Sequence, residues 1–407
     1  MKVLFLTIGN FSGINDHGIY PDLLREFMRH GHEVYVVCAS EKRTGMPTVH
    51  VEGDGAHTLR VRTGNITQTN LVEKGISTIL IKRQYLSALK KYFQGIRFDL
   101  VLYPTPPITL CGVVEYVKER DGAKTYLLLK DIFPQNAVDV GMMNNRGMRG
   151  ILYRYFRKKE KKLYELSDTI GCMSQANVDY VLKHNPELQN KAVEVCPNSV
   201  EAIDVSVSPE KRREVREQYG IPVESTVFVY GGNLGKPQGI DFLIQCLKSQ
   251  KENPDAFFLI VGNGTEFSKM EAFMKTDRQK NVRLMGRLEK RDYEQVVGSC
   301  DVGMLFLDHR FTIPNFPSRL LDYMEAKIPV IAVTDPNTDV GDVIVGGGFG
   351  WWCESNDVGA FQKQVDLICR MTGEERAIRG DRAWEVLQAQ YSVSAAYQQI
   401  WTRVSDE

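Results

Sequence analysis

This sequence predicts an α/β protein of two doubly wound, parallel-sheet domains, and three observations carry the prediction. The chain has 407 residues, more than one ordinary hydrophobic core serves. Short apolar runs alternate with longer amphipathic stretches, the rhythm of strand and crossover helix in a parallel sheet. That rhythm occurs as two separate series with a polar, proline-marked join between them. A hydrophobic fraction of 43%, a charged fraction of 25% and a net charge of zero fit a soluble globular protein and lack the bulk positive charge of a nucleic-acid binder.

The first series runs KVLFLTI, EVYVVCA, FDLVLYP, KTYLLLK and DTIGCMS, spaced by helical patterns such as YPDLLREFMRHGH. Its first member is too short for a secretion signal and lacks a small-residue cleavage site, so it reads as a first strand. The second series runs TVFVYGG, AFFLIVG, VRLMGRL, DVGMLFL and PVIAVTD. The join lies in VEVCPNSVEAIDVSVSPEKRREVREQYGIP, which places the first domain at 1–203 and the second at 204–385, with a last helix at 386–407 free to pack back on the first domain. No run of about 18 apolar residues occurs, so no segment is expected to span a bilayer. The 8 cysteines lie far apart without CxxC pairs, which suits buried free thiols in a reducing cytoplasm.

Open parallel sheets bind ligands beyond the carboxyl ends of their strands, and two such sheets are expected to face a central cleft. In the stretch NFPSRLLDYMEAKIPVIAV, a helix opens at Ser318 and Arg319. Its unpaired amides, a hydroxyl and a guanidinium fork suit a phosphate, and Asp322, three and four residues on, is expected to share their face and meet a sugar's hydroxyls. A capped helix with a solvated ion pair is the plainer alternative.

Two glycine loops fail the nearest nucleotide motifs. In YGGNLGKPQGIDFL, Lys236 is followed by Pro237 and Tyr230 stands where a P-loop needs glycine, so an ATPase is disfavoured. The loop TIGNFSGINDHGIY departs from GxGxxG, and no acid ends the second apolar run, EVYVVCA, so a dinucleotide dehydrogenase is disfavoured as well. Asp16 and His17 in this loop could reach a substrate or simply be solvated. A third loop, VGNGTEF, says little by itself.

Lys130 and Asp131 end a buried strand, a costly place for charge unless the two pair with each other or serve a reaction. Lys130 could balance leaving-group charge and Asp131 could orient or deprotonate a hydroxyl. Last, NNRGMRGILYRYFRKKEKKLYEL interleaves Arg149, Arg154, Arg157, Lys158 and Lys161 with aromatic and aliphatic residues. It is either a solvated helix face or a dock for an anionic membrane surface.

In order and spacing, the segments GIYPDLLREFMRHGHEVYVV, SDTIGCMSQANVDYV, VCPNSVE, FFLIVGNG, VRLMGRL, CDVGMLFL and RLLDYMEAKIPVIA resemble glycosyltransferase family 4, whose fold is the two-domain GT-B type. GNLGxxQG with NFPSRLL resembles a bacterial subfamily that includes O-antigen L-N-acetylfucosamine and colanic-acid-type transferases. The resemblance implies a retaining transferase that takes a sugar from a UDP-sugar without a metal or cofactor. No Asp-x-Asp triplet is present to hold a divalent ion.

The family's Glu-x7-Glu element matches Asp322 at its second glutamate and Pro314 at its first, so the ribose contact is implied and the donor-sugar contact is missing or supplied by another group. Its phosphate-binding Arg and Lys fall at Asn233 and Gln238, which leaves Arg319, helped by Lys236, as the implied clamp. Gly13, Asn233, Ser318 and Arg319 are thus expected to stabilise the leaving diphosphate, with Gln238 and Leu320 also lining the donor. Arg287 and Leu288 are expected at the base, and Lys130, Asp131, Asp16 and His17 on the acceptor side.

The acceptor implied is a lipid-linked, undecaprenyl diphosphate-type glycan at the inner face of the cell membrane, on a peripherally bound cytoplasmic enzyme. Lys130 stands where many members carry histidine near the donor's C6 hydroxyl, which implies a 6-deoxy donor or one handled without that contact. A GT-B sugar-nucleotide epimerase and a non-catalytic GT-B scaffold are the rival readings.

Overall fold

Every apolar run of the first series becomes a strand of one sheet. The computed structural model describes residues 1–9, 11, 13–66, 71–147 and 150–405, without the side chains of 71–76, 78 and 79. Eight strands form this sheet: β1 (Lys2–Leu6), β2 (Glu33–Glu41), β3 (Val49–Gly53), β4 (Ala56–Thr63), β5 (Leu100–Thr105), β6 (Lys124–Leu129), β7 (Thr169–Cys172) and β8 (Ala192–Val195). Their order is β3, β4, β2, β1, β5, β6, β7, β8, and only the β3–β4 pair is antiparallel. The central strands are buried on both faces, which is why they read as continuous apolar runs.

The second series makes a six-stranded parallel sheet: β9 (Thr226–Asn233), β10 (Ala256–Asn263), β11 (Val282–Met285), β12 (Val302–Phe306), β13 (Val330–Thr334) and β14 (Gly350–Glu354). The order β11, β10, β9, β12, β13, β14 is the doubly wound pattern in which strand order reverses between the first and fourth strands. That reversal marks where a ligand is to be sought.

The chain divides into one unit of Met1–Glu201 with Val393–Glu407 and a second of Ala202–Ser392. The first crossing lies before 203 because Ile203 and Val205 donate their amides to Glu325 of the second unit. The second crossing lies beyond 385 because the helix Gly373–Gln390 runs through that position. This helix sits so close to the second unit that a Cβ on Gly380 would lie 1.9 Å from the Lys327 carbonyl oxygen. The final helix, Val393–Ser405, packs on the helix Ile19–Arg29: Tyr397 stacks on His30 with ring centroids 4.0 Å apart, and Ser394 donates to Glu26 at 2.7 Å. Seven cysteines are buried, and Cys369 is half-buried; all eight are free. Among the described residues, no helix is long and apolar enough to cross a membrane.

Candidate active site

At the reversal of the second sheet, β9 and β12 pair only through Phe228 with Val302 and Val229 with Gly303. Beyond those pairs the Tyr323 hydroxyl bridges the strands, accepting from Gly231 N at 3.1 Å and lying 3.1 and 3.2 Å from the Met304 and Val229 carbonyl oxygens. This opening at the carboxyl end of β9 is where Arg319 lies. Its guanidinium is 4.5 Å from the Tyr230 ring centroid, and a Cβ on Gly232, at φ 113°, would come within 2.5 Å of its Nη2. Glycine at 232 therefore admits both a backbone turn and a cation that a side chain would exclude. Among the described residues Arg319 makes no ion pair with a carboxylate. Aromatic faces stabilise a guanidinium without neutralising it, so its positive charge remains available to a ligand.

The segment before Arg319 is anchored by packing. Phe311, Ile313 and Phe316 are buried, Asn337 donates to the Phe311 carbonyl at 2.6 Å, and Phe316 stacks on Tyr391. The helix Arg319–Glu325 then buries Leu320, Leu321, Tyr323 and Met324. Two sequence readings change here. Ser318 is exposed and its hydroxyl makes no capping bond, so it is not the plain cap that was the alternative. Ser318 and Asp322 are exposed, while the half-buried Arg319 lies against the Tyr230 ring. Leu320 is fully buried, and its side chain packs in the core.

In the glycine loop, Asn233 Nδ2 and Gly235 N both donate to Gln238 Oε1, at 3.0 and 3.2 Å. Asn233 and Gln238 thus close the loop on each other. Lys236 is exposed on the turn Lys236–Gln238. The GNG loop proves to be part of the same construction: Gly262 is in register with Gly232, and a Cβ on it would lie 1.8 Å from the Gly232 carbonyl oxygen. A Cβ on Gly264 would lie 2.3 Å from the Leu234 carbonyl oxygen. Their role was invisible until the register of β9 and β10 set the glycines opposite each other. Arg287 is exposed and Leu288 half-buried in the loop after β11.

In the first unit, Gly13 lies in a loop between β1 and the helix Ile19–Arg29, with open space where a Cβ would stand. Arg25 pins this loop by donating to the Ile14 and Asp16 carbonyls at 2.6 Å each. The Asp16 side chain is exposed. His17 turns inward, with Nδ1 2.8 Å from the fully buried Asp22, which also accepts from the Gly18 and Glu201 amides at 2.9 Å each. Burial alone would raise the Asp22 pKa, and the His17, Gly18 and Glu201 donors outweigh it to hold the carboxyl below its usual range. Asp22 was missed because an acid in a first helical turn is ordinary.

Lys130 and Asp131 do not pair with each other. Lys130 Nζ lies 3.3 Å from the Cys196 carbonyl, and burial pushes its pKa down. Asp131 accepts from Asn136 at 2.6 Å on one oxygen, while the other is buried without a hydrogen-bond partner. Burial pushes the Asp131 carboxyl up to about 6.

The basic segment forms the helix Ile151–Leu166. Arg157 pairs with Glu160 and Lys161 with Glu187, so these two cations are engaged within the protein. Arg149 lies outside the described residues. Arg154 and Lys158 are exposed beside Ile151, Leu152 and Tyr155, which are 60%, 53% and 46% exposed.

The Arg319 cradle lies within a region of known kind. Residues 211–384 match the family described as Glycosyl transferases group 1. Over 330 residues, 80% of this chain and 78% of the relative, the sequence is 26% identical to the probable glycosyltransferase WbjE of Pseudomonas aeruginosa. It is 23% identical over 258 residues, 60% of each chain, to the putative colanic acid biosynthesis glycosyl transferase WcaI of Escherichia coli K12. Among solved structures, Anabaena HepE in complex with UDP and glucose superposes with a TM-score of 0.68 at 16% identity, covering 100% of both chains. The fold is accordingly GT-B, two parallel-sheet α/β domains, and the residues that match the group 1 family include Tyr230, Gly232, Gly262 and Arg319.

Proposed function

We propose that this protein is a retaining, metal-independent glycosyltransferase that moves a sugar from a UDP-sugar to a lipid-linked glycan during bacterial surface polysaccharide synthesis. The observation that carries the reading is the Arg319 guanidinium, held against Tyr230 and Gly232 without a carboxylate partner, in the group 1 domain. A departing diphosphate needs such compensation in place before the bond breaks. WcaI, by its name, acts in colanic acid biosynthesis, and HepE binds UDP and glucose, which supports the substrate class. An N-acetylated and 6-deoxy sugar is the preferred donor, following the resemblance to O-antigen transferases. Calorimetric titration with UDP, ADP, GDP and NAD, without added metal, tests the donor. UDP should bind most tightly; failure to bind any of them would favour the scaffold reading, and turnover of a UDP-sugar without acceptor would favour the epimerase.

Asp131 supplies a pH signature. In the proposed role its carboxylate orients or deprotonates the acceptor hydroxyl, and that form predominates only above about pH 6. Activity should therefore fall as pH drops through that value, and Asp131→Asn should be slow and lack this acidic limb. A limb that survives in the variant would assign it to another group.

Arg154 and Lys158, with exposed Ile151, Leu152 and Tyr155, form the proposed membrane dock. Two cations near an anionic surface contribute on the order of 2 kcal/mol, at about 1 kcal/mol each. Sedimentation with phosphatidylserine vesicles should fall steeply with salt and be weakened by Arg154→Glu with Lys158→Glu. Binding that ignores both changes would return the segment to a solvated helix face.

A further inference from the structure

The hairpin of β3 and β4, at the edge of the first sheet, has the sequence HVEGDGAH from residue 50 to 57. Gly53 pairs with Ala56 across a two-residue turn, Asp54 and Gly55, both at positive φ, 54° and 82°. This primed-turn geometry fixes register in an Asp-Gly hairpin. Register then dictates a coincidence of side chains. His50 and Glu52 alternate onto one face of β3, and His57 stands directly opposite Glu52 on β4. One ligand atom from each of the three lies within 4.8 Å of the others.

We propose that His50, Glu52 and His57 form a binding site for a divalent transition-metal ion such as Zn2+. Two imidazoles and a carboxylate are the donor set that borderline ions such as Zn2+, Ni2+ and Cu2+ favour over the hard ions Mg2+ and Ca2+. Neighbouring rings already hold the imidazoles in place. His57 stacks on Tyr35 at 4.4 Å and 13°, and Phe93 meets the His50 ring edge-on at 5.2 Å and 88°. His50 Nε2 is buried without a hydrogen-bond partner, while His57 Nδ1 lies 3.6 Å from a Glu52 carboxylate oxygen. Around Zn2+ with bonds of about 2.0 to 2.1 Å, tetrahedral ligands stand about 3.3 Å apart, so side-chain rotation alone would close the set. Three protein ligands leave a position for water. The ion would tie the edge strand β3 to β4, and no step of sugar transfer requires it. The spacing His-x-Glu-x4-His acquires meaning only through the two-residue turn, which is why it does not stand out in the sequence.

The test uses the full-length, chelator-treated protein titrated calorimetrically with Zn2+ at neutral pH, with Mg2+ as comparison. One equivalent of Zn2+ should bind, and Mg2+ should not. His57→Ala and His50→Ala should weaken that equivalent at least tenfold. Glu52→Gln, at a side chain 72% exposed and so harmless to folding, should weaken it as well. Co2+ loading should give a visible absorption band in the wild type that His57→Ala lacks. Absence of a Zn2+ equivalent in the wild type, or equal binding by wild type, His57→Ala and Glu52→Gln, would overturn the assignment and place any bound ion elsewhere.

Discussion

Arg319→Ala should weaken UDP binding by roughly 10- to 150-fold, the loss of one charge-assisted interaction of about 1.5 to 3 kcal/mol. Turnover should fall further, by roughly 100- to 1000-fold, because charge on the leaving diphosphate grows as the glycosidic bond breaks. The variant is a clean test because the cradle stays satisfied without the guanidinium. The Tyr323 hydroxyl keeps its partners at Gly231, Val229 and Met304, and the Tyr230 hydroxyl still donates to the Asn233 carbonyl at 2.6 Å. Thermal stability should therefore move little. Arg319→Lys keeps a charge but loses the planar fork that lies over Tyr230, so most of the loss should persist. UDP binding unchanged in Arg319→Ala would remove Arg319 as the clamp and leave exposed Lys236 as the next cation to test.

The sequence disclosed most of the second unit because its strands are buried on both faces and each apolar run is bounded by a turn signal. Strands β3, β4, β8 and β14 did not stand out. β3 and β4 mix exposed polar with apolar positions, and β8 has four residues. Arg319 could be singled out by elimination, since the resemblance leaves the usual phosphate-binding positions at Asn233 and Gln238 uncharged. Its surroundings were another matter. The helix begins at Arg319, with Ser318 as the residue before it, and the Arg319 guanidinium lies over the Tyr230 ring, a contact that spacing does not announce. Tyr293, whose hydroxyl oxygen would lie 2.1 Å from a Cβ on Gly231, and Gly262, which abuts Gly232, reach the cradle only through tertiary register. Spacing along the chain carries no trace of that convergence.

Asp301→Ala should destabilise the second unit by about 3 to 5 kcal/mol, the usual consequence of stranding a buried charge. Asp301 directly precedes β12 and is 9% exposed. One oxygen accepts from Arg212, and the other from Arg216 at 2.6 Å and from the Val227 amide at 2.8 Å. Arg216 is 2% exposed, and although it also donates to the Ser299 and Val223 carbonyls, its charge has no other carboxylate among the described residues. Burial alone would raise the Asp301 pKa, but the two arginines and the Val227 amide outweigh it and hold it below the usual range. This contribution to stability is therefore present above the ordinary carboxylate pKa and is lost as pH falls through the lowered one. At about 2 to 4 °C per kcal/mol for a unit of this size, the unfolding midpoint should drop by roughly 6 to 20 °C at pH 7, with a smaller difference from wild type in acid. UDP affinity well below that midpoint should be unchanged. Asp301 joins β9 and β12 at their amino ends, whereas Arg319 lies where the same strands part at their carboxyl ends. A midpoint equal to the wild type's would mean that the backbone carbonyls around Arg216 suffice to hold its charge.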